Sequence, residues 1–206
     1  MSVARPADTT VRRAALRFGP TAVATPANVV TVGRVVLAAP LLWMIYDRGV
    51  GWWIWAGWAA LACSDGLDGW LARRDGTTRS GAYLDPLADK VLTLGGFSVL
   101  AARGAFPWLP VGLMAAREVG ISAYRSWAGK RGISMPAIWS GKAKTVCQLV
   151  AVGIPIWPLT EHLVGLRDGL LWLSVGLSLV SGMQLVRRGW PEAEVAHAAG
   201  AREDAA

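Results

Sequence analysis

Cysteine and histidine are nearly missing from this chain, with two of each among 206 residues. Cys63 and Cys147 sit in separate apolar stretches without CxxC spacing, so they read as small buried hydrophobes and not as a disulfide framework. His162 and His197 stand alone in a loop and a tail, which excludes a histidine metal site. Charge is scarce too, at 17% of residues, and the acids are outnumbered by 21 basic residues to 14. Residues 1–27 hold Arg5, Arg12, Arg13 and Arg17 but no apolar h-region. They read as a basic cytoplasmic arm, part helical on the membrane surface, rather than as a signal peptide. A net charge of +7 would raise nucleic acid as a partner for a soluble protein. Here the basic residues flank hydrophobic spans, so they read as topology signals and contacts to anionic lipid, with no nucleic acid.

Apolar residues are abundant, at 53% with a mean hydropathy of +0.38. The length permits one domain, and the pattern predicts an all-α integral membrane protein. Six transmembrane helices are expected within residues 28–188: Asn28 to Tyr46, Val50 to Leu71, Gly81 to Ala102, Pro107 to Trp127, Lys142 to Trp157 and Leu166 to Val186. Each is near the ~20 residues that cross the hydrocarbon layer, the fifth being short. Residues 189–206, rich in Ala, Glu and Arg, are expected to be a disordered tail.

Basic residues orient the spans. With the amino terminus inside, the outer loops hold Arg48, Arg103 and Arg167. The inner segments hold Arg73, Arg74, Arg79, Arg125, Lys130, Arg131, Arg187 and Arg188, besides those of the arm. Both termini are therefore expected in the cytoplasm. Trp52, Trp53, Trp108 and Trp157 at the outer ends, and Trp127, Trp139 and Trp190 at the inner ends, suit interfacial belts. Gly95, Gly96, Gly112, Gly120, Gly176 and Gly182 within spans read as helix-packing contacts, and their frequency makes a homodimer the expected assembly.

Against this apolar background, ionisable residues recur at one depth. Arg34, Asp65, Asp68, Asp85, Asp89, Arg117, Lys142 and Lys144 all lie about 10 to 18 residues from the outer end of a span, roughly 15 to 27 Å at the helical rise. Such groups are costly in the bilayer unless they face a bundle interior or a water-filled cavity. Five spans thus contribute to a polar cavity open to the cytoplasm.

The acids cluster further. Asp65 and Asp68 share a helix face at i, i+3, and Asp85 and Asp89 share one at i, i+4. Two such helices joined by a short basic turn bring four carboxylates together. These would repel one another without cations between them, and hard oxygen donors suit Mg²⁺, Mn²⁺ or Ca²⁺. A solvated loop whose acids pair with Arg73, Arg74, Arg79 and Lys90 is the plainer reading. The regular spacing within apolar helices favours metal. Gly69, Ala72 and Gly81 let a flat or phosphorylated ligand approach the backbone, and Arg73 can grip phosphate.

Asp65, Asp68, Gly69, Ala72, Arg73, Gly81, Asp85 and Asp89 match every fixed position of D-x2-D-G-x2-A-R followed by G-x3-D-x3-D. This resembles the signature of the CDP-alcohol phosphotransferases, with a seven-residue spacer where eight is common. The resemblance implies a pair of Mg²⁺ or Mn²⁺ ions on the four aspartates and Asp89 as the base. It also implies a CDP cradle of Asp68, Gly69, Ala72, Arg73 and Gly81. An alcohol then attacks the lipid-side phosphorus of CDP-diacylglycerol and CMP leaves. Dimers are usual in that family.

Outside the signature, Asn28-Val-Val-Thr31-Val-Gly-Arg34, Arg117-Glu118-Val-Gly-Ile-Ser and Ser140-Gly141-Lys142-Ala-Lys144-Thr145-Val-Cys-Gln148 resemble phosphatidylglycerophosphate synthases, whose acceptor is glycerol 3-phosphate. Arg117, Arg125, Lys142 and Lys144 are the physical candidates for the acceptor phosphate, and Asn28, Thr31 and Arg34 for the cavity lining. Each cation has a structural alternative. Arg117 can pair with Glu118 or an aspartate, Arg125 can be a topology charge, and the lysines can snorkel. A cardiolipin synthase of the same family, using phosphatidylglycerol, and an ion or proton transporter remain open. The transporter predicts intramembrane acids in both halves, whereas here they occupy the first half.

Overall fold

The computed structural model describes the backbone of residues 26–75, 79–131, 139–160 and 162–203, and the side chains of residues 28–64, 86–129, 131, 139–160 and 162–187. The basic arm lies outside the described residues. All regular structure among the described residues is helical: α1 (Pro26–Arg48), α2 (Trp52–Asp75), α3 (Arg79–Ala102), α4 (Trp108–Lys130), α5 (Trp139–Ile156) and α6 (Val164–Glu203). The helices form where apolar runs predict them. Pro107, extended at φ −66° and ψ 146°, starts α4. α6 does not stop where hydropathy falls. Its backbone stays helical to Glu203, through residues expected to be disordered, because Ala and Glu are strong helix formers.

α1 packs on α2 and α3, α6 packs on α5 and α4, and α3 also meets α4 and α5. Contacts between distant loops show the chain running up and down. At one end, the Arg103 side chain after α3 donates to the Tyr46 carbonyl of α1. It lies over Gly49, whose φ of +80° and lack of Cβ both permit the turn. Gly51 N donates to Ile156 O at 3.3 Å, and Trp55 stacks on Trp157 at 5.3 Å. At the other end Ser140 Oγ donates to Gln184 Oε1 at 2.8 Å, bringing the start of α5 to α6.

Trp58 is the central wedge of the core. Its ring fills the space left by two glycines: a Cβ on Gly96 would lie 2.7 Å from Trp58 Cη2, and one on Gly153 would lie 3.3 Å from Cδ1. Its indole Nε1 donates to Leu149 O at 3.0 Å. Gly95 likewise receives Leu42, and Gly182 receives Arg117. Gly112, Gly120 and Gly176 make no such contact among the described residues, whose packing accounts for half of the expected set.

The distribution of polarity is inverted relative to a soluble protein. Val29, Val32, Val36 and Trp43 of α1 and Trp172, Leu173, Val180 and Met183 of α6 are exposed, while Arg34, Glu118, Lys144, Gln148, Ser174 and Ser178 are buried. Asn28–Arg48 and Val164–Arg187 are long and apolar enough to cross a bilayer. Both features mark a membrane protein. Cys63 is exposed, contrary to the expectation that it is buried, because it falls on the outward face of α2. Cys147 is half-buried, with Sγ 3.4 Å from Ser174 Oγ. Of the expected belt tryptophans, Trp52, Trp53, Trp108, Trp127 and Trp139 are exposed. Trp157 instead packs inward on Trp55.

Candidate active site

The signature falls on two consecutive helices. Asp65 and Asp68 lie in the second half of α2, and Asp85 and Asp89 in the first half of α3. The side chains of Asp65, Asp68, Gly69, Ala72, Arg73, Gly81 and Asp85 lie outside the described residues. Their helical backbone keeps each acid pair one turn apart on a single face. This register and the hard oxygen chemistry of four carboxylates fit a divalent metal. Asp89 is half-buried, and its carbonyl accepts Thr93 Oγ1 at 2.8 Å. That bond bends the Thr93 hydroxyl back onto α3.

α1 supports the signature from one side. Asn28, Thr31 and Arg34 recur at i, i+3 and i+6, and all three are buried, Arg34 to 2% exposure. Arg34 Nε donates to Ser64 Oγ at 3.0 Å, and Ser64 Oγ donates to Leu61 O at 2.7 Å. The guanidinium is thereby attached to the residue that precedes Asp65.

The candidate acceptor cations divide into two groups. Arg125 and Lys142 are exposed. Arg117 and Lys144, from α4 and α5, converge on one oxygen: Glu118 Oε1 accepts Arg117 Nη1 at 2.8 Å and also accepts Lys144 Nζ. Glu118 and Lys144 are each only 7% exposed. Arg117 Nη2 donates to Ser181 Oγ of α6 at 2.7 Å, and Ser181 Oγ donates to Ser178 O at 3.0 Å. Arg117 fits there because Gly182 has no side chain; a Cβ would lie 2.8 Å from Arg117 Nε. Among the described residues two cations share a single carboxylate, a buried trio with one positive charge in excess.

The cluster is also joined to α3. Lys90, the neighbour of Asp89, donates to Ser122 Oγ, and Ser122 Oγ donates to Glu118 O at 2.7 Å. Glu118, Ser122 and Ser181 join the candidate site through these bonds, a connection that the sequence motifs alone do not assign. A polar stripe at Ser174, Ser178 and Ser181, spaced i, i+4 and i+7 along an apolar helix, was the available signal for the α6 contribution.

Comparison with known proteins adds a separate line. The profile of the CDP-alcohol phosphatidyltransferase family matches residues 24–180, a span containing every residue of both clusters except Ser181. The chain is 34% identical over 176 residues to a probable phosphatidylglycerophosphate synthase of Mycobacterium tuberculosis, covering 81% of this chain and 82% of that protein. It is 40% identical over 167 residues to a CDP-diacylglycerol–glycerol-3-phosphate 3-phosphatidyltransferase of Shigella flexneri serotype 5b, covering 76% and 90%. A protein of the same name from Pseudomonas fluorescens is 33% identical over 176 residues, covering 80% and 89%.

Proposed function

This chain belongs to the CDP-alcohol phosphatidyltransferase family, and from that premise we propose that it transfers the phosphatidyl group of CDP-diacylglycerol to glycerol 3-phosphate. The products are phosphatidylglycerophosphate and CMP. The observation that carries the reading is the single family match spanning both the intact aspartate signature and the buried Arg117–Glu118–Lys144 cluster. Relatives named for this transfer support the choice of acceptor.

In this reading Gly69, Ala72, Arg73 and Gly81 cradle the CDP moiety with Asp68. Asp65, Asp68, Asp85 and Asp89 would hold a pair of divalent ions, Mg²⁺ or Mn²⁺, which when bound supply charge neutralisation at the diphosphate. Asp89 accepts the proton of the attacking hydroxyl. The acceptor oxygen bonds to the lipid-side phosphorus while the phosphorus–oxygen bond to CMP breaks. Arg117 and Lys144 bind the dianionic phosphate of glycerol 3-phosphate, with Arg125 and Lys142 nearer the entrance. Asn28, Thr31 and Arg34 line the cavity. All six helices cross the cytoplasmic membrane, the cavity and both termini face the cytoplasm, and the protein acts as a homodimer.

The test is CMP release by purified protein from CDP-diacylglycerol with Mg²⁺ or Mn²⁺. Glycerol 3-phosphate, phosphatidylglycerol and inositol phosphate are offered separately. Release with glycerol 3-phosphate alone is expected. Release that needs another acceptor overturns the substrate assignment, and no release with any of them overturns the enzymatic reading.

A further inference from the structure

We propose that Glu118 is a positioning residue for the acceptor: it holds Arg117 and Lys144 in a convergent, charged arrangement that only a phosphate-bearing acceptor completes. The proposal rests on the acceptor reading above and adds a residue which that reading leaves unused.

Three features of the structure lead to it. First, one carboxylate oxygen serves both cations, although they come from different helices and Lys144 is 26 residues away along the chain. Two cations brought this close in a buried site repel each other, and Glu118 offsets that repulsion. Second, the cluster is anchored on the far side. Arg117 is held from behind by Ser181 Oγ at 2.7 Å, and Gly182 is kept small where the guanidinium passes. Arg117 Nε is buried and has no hydrogen-bond partner among the described residues. A side chain used only to neutralise Glu118 would need none of this. Third, the backbone carbonyl of Glu118 receives Ser122, which receives Lys90. The carboxylate that orders the cations thus sits on the same turn that contacts the neighbour of Asp89. Acceptor phosphate and attacking hydroxyl must be placed together, and this connection sets one relative to the other.

The charge count also predicts a preference among acceptors. The trio carries one net positive charge, which a neutral alcohol does nothing to balance. A phosphate dianion supplies acceptors for both cations without displacing them from Glu118.

Steady-state CMP release with each substrate varied in turn tests the proposal, starting with the wild type. If the wild type shows no dependence on glycerol 3-phosphate, the substrate reading itself fails, and this proposal with it. Given that dependence, Glu118→Gln is expected to raise the KM for glycerol 3-phosphate by roughly tenfold or more. The KM for CDP-diacylglycerol should stay unchanged. Equal rises in both KM values, or a fall in kcat alone, would mean general distortion and overturn the positioning role, as would a wild-type acceptor KM.

Removing a buried charge can prevent folding, so Ser181→Ala provides the second arm. It loosens Arg117 without adding or removing charge and should raise the acceptor KM a few-fold. Ser178→Ala, equally buried but supplying only its backbone carbonyl to the network, should not. If Ser181→Ala leaves the acceptor KM unchanged, the proposal fails whatever the behaviour of Glu118→Gln.

Discussion

Arg34 and Ser64 are joined by a 3.0 Å hydrogen bond that ties the first helix to the residue immediately before Asp65. The bond links a fully buried guanidinium to the helix that carries the first acid pair. Arg34→Met keeps the apolar stem and removes the donors. It is expected to lower CMP release by roughly tenfold or more, the scale of a charged hydrogen bond lost inside a protein. Ser64→Ala removes only the shared bond and should cost a few-fold. A wild-type rate in Arg34→Met would show that α1 does not position the signature.

Trp58 is expected to dominate stability. Trp58→Ala empties the space between Gly96 and Gly153 and leaves Leu149 O without the indole donor. The cost is about 3–5 kcal/mol, read as a lower thermal midpoint in detergent. Gly96→Ala tests the same junction from the opposite side. Its new methyl would lie 2.7 Å from Trp58 and 2.8 Å from Val152, so overpacking should cost about 1–3 kcal/mol. A neutral Gly96→Ala would mean that α2, α3 and α5 can separate without penalty.

How far these features could be read from sequence follows from the range over which each is determined. α1, α3 and α4 begin and end within a few residues of the hydropathy boundaries, because apolar length and flanking charge are local properties. The aspartate register was legible for the same reason, since i, i+3 and i, i+4 spacing needs only a helix. The Glu118 pairing was only half visible. Its bond to Arg117 is between chain neighbours, whereas its bond to Lys144 depends on which helices lie side by side. Trp58 was hidden similarly: nothing local separates a tryptophan that anchors at an interface from one that fills a glycine-lined slot. The exposed Cys63 shows the converse, since an apolar stretch does not reveal which of its faces is buried.

Metal dependence is the expectation that the four proposed carboxylate ligands carry. Chelation with EDTA is expected to abolish CMP release, and either Mg²⁺ or Mn²⁺ should restore it. Asp89→Asn should lower the rate by roughly 10²–10⁴-fold or more at saturating metal, since the proposed mechanism uses Asp89 as a base as well as a ligand. Activity that survives both treatments would exclude the aspartate site as the seat of the chemistry.

Sidedness can be tested at the two ends of α4. Ala102 is exposed at the end of α3, where the chain turns towards the start of α4, and Arg131 is exposed at the other end of α4, its guanidinium 4.2 Å from the Trp127 ring centroid. A cation stacked on an exposed tryptophan suits a membrane interface, and the excess of basic residues near Arg131 predicts that this end faces the cytoplasm. In a background with Cys63 and Cys147 replaced by serine, Ala102→Cys should react with an impermeant maleimide on intact cells. Arg131→Cys should react only after the cells are opened. The reverse pattern would invert the topology and place the signature outside. Protection of both sites in intact cells would mean that α4 does not cross, and the six-span arrangement would fall with it.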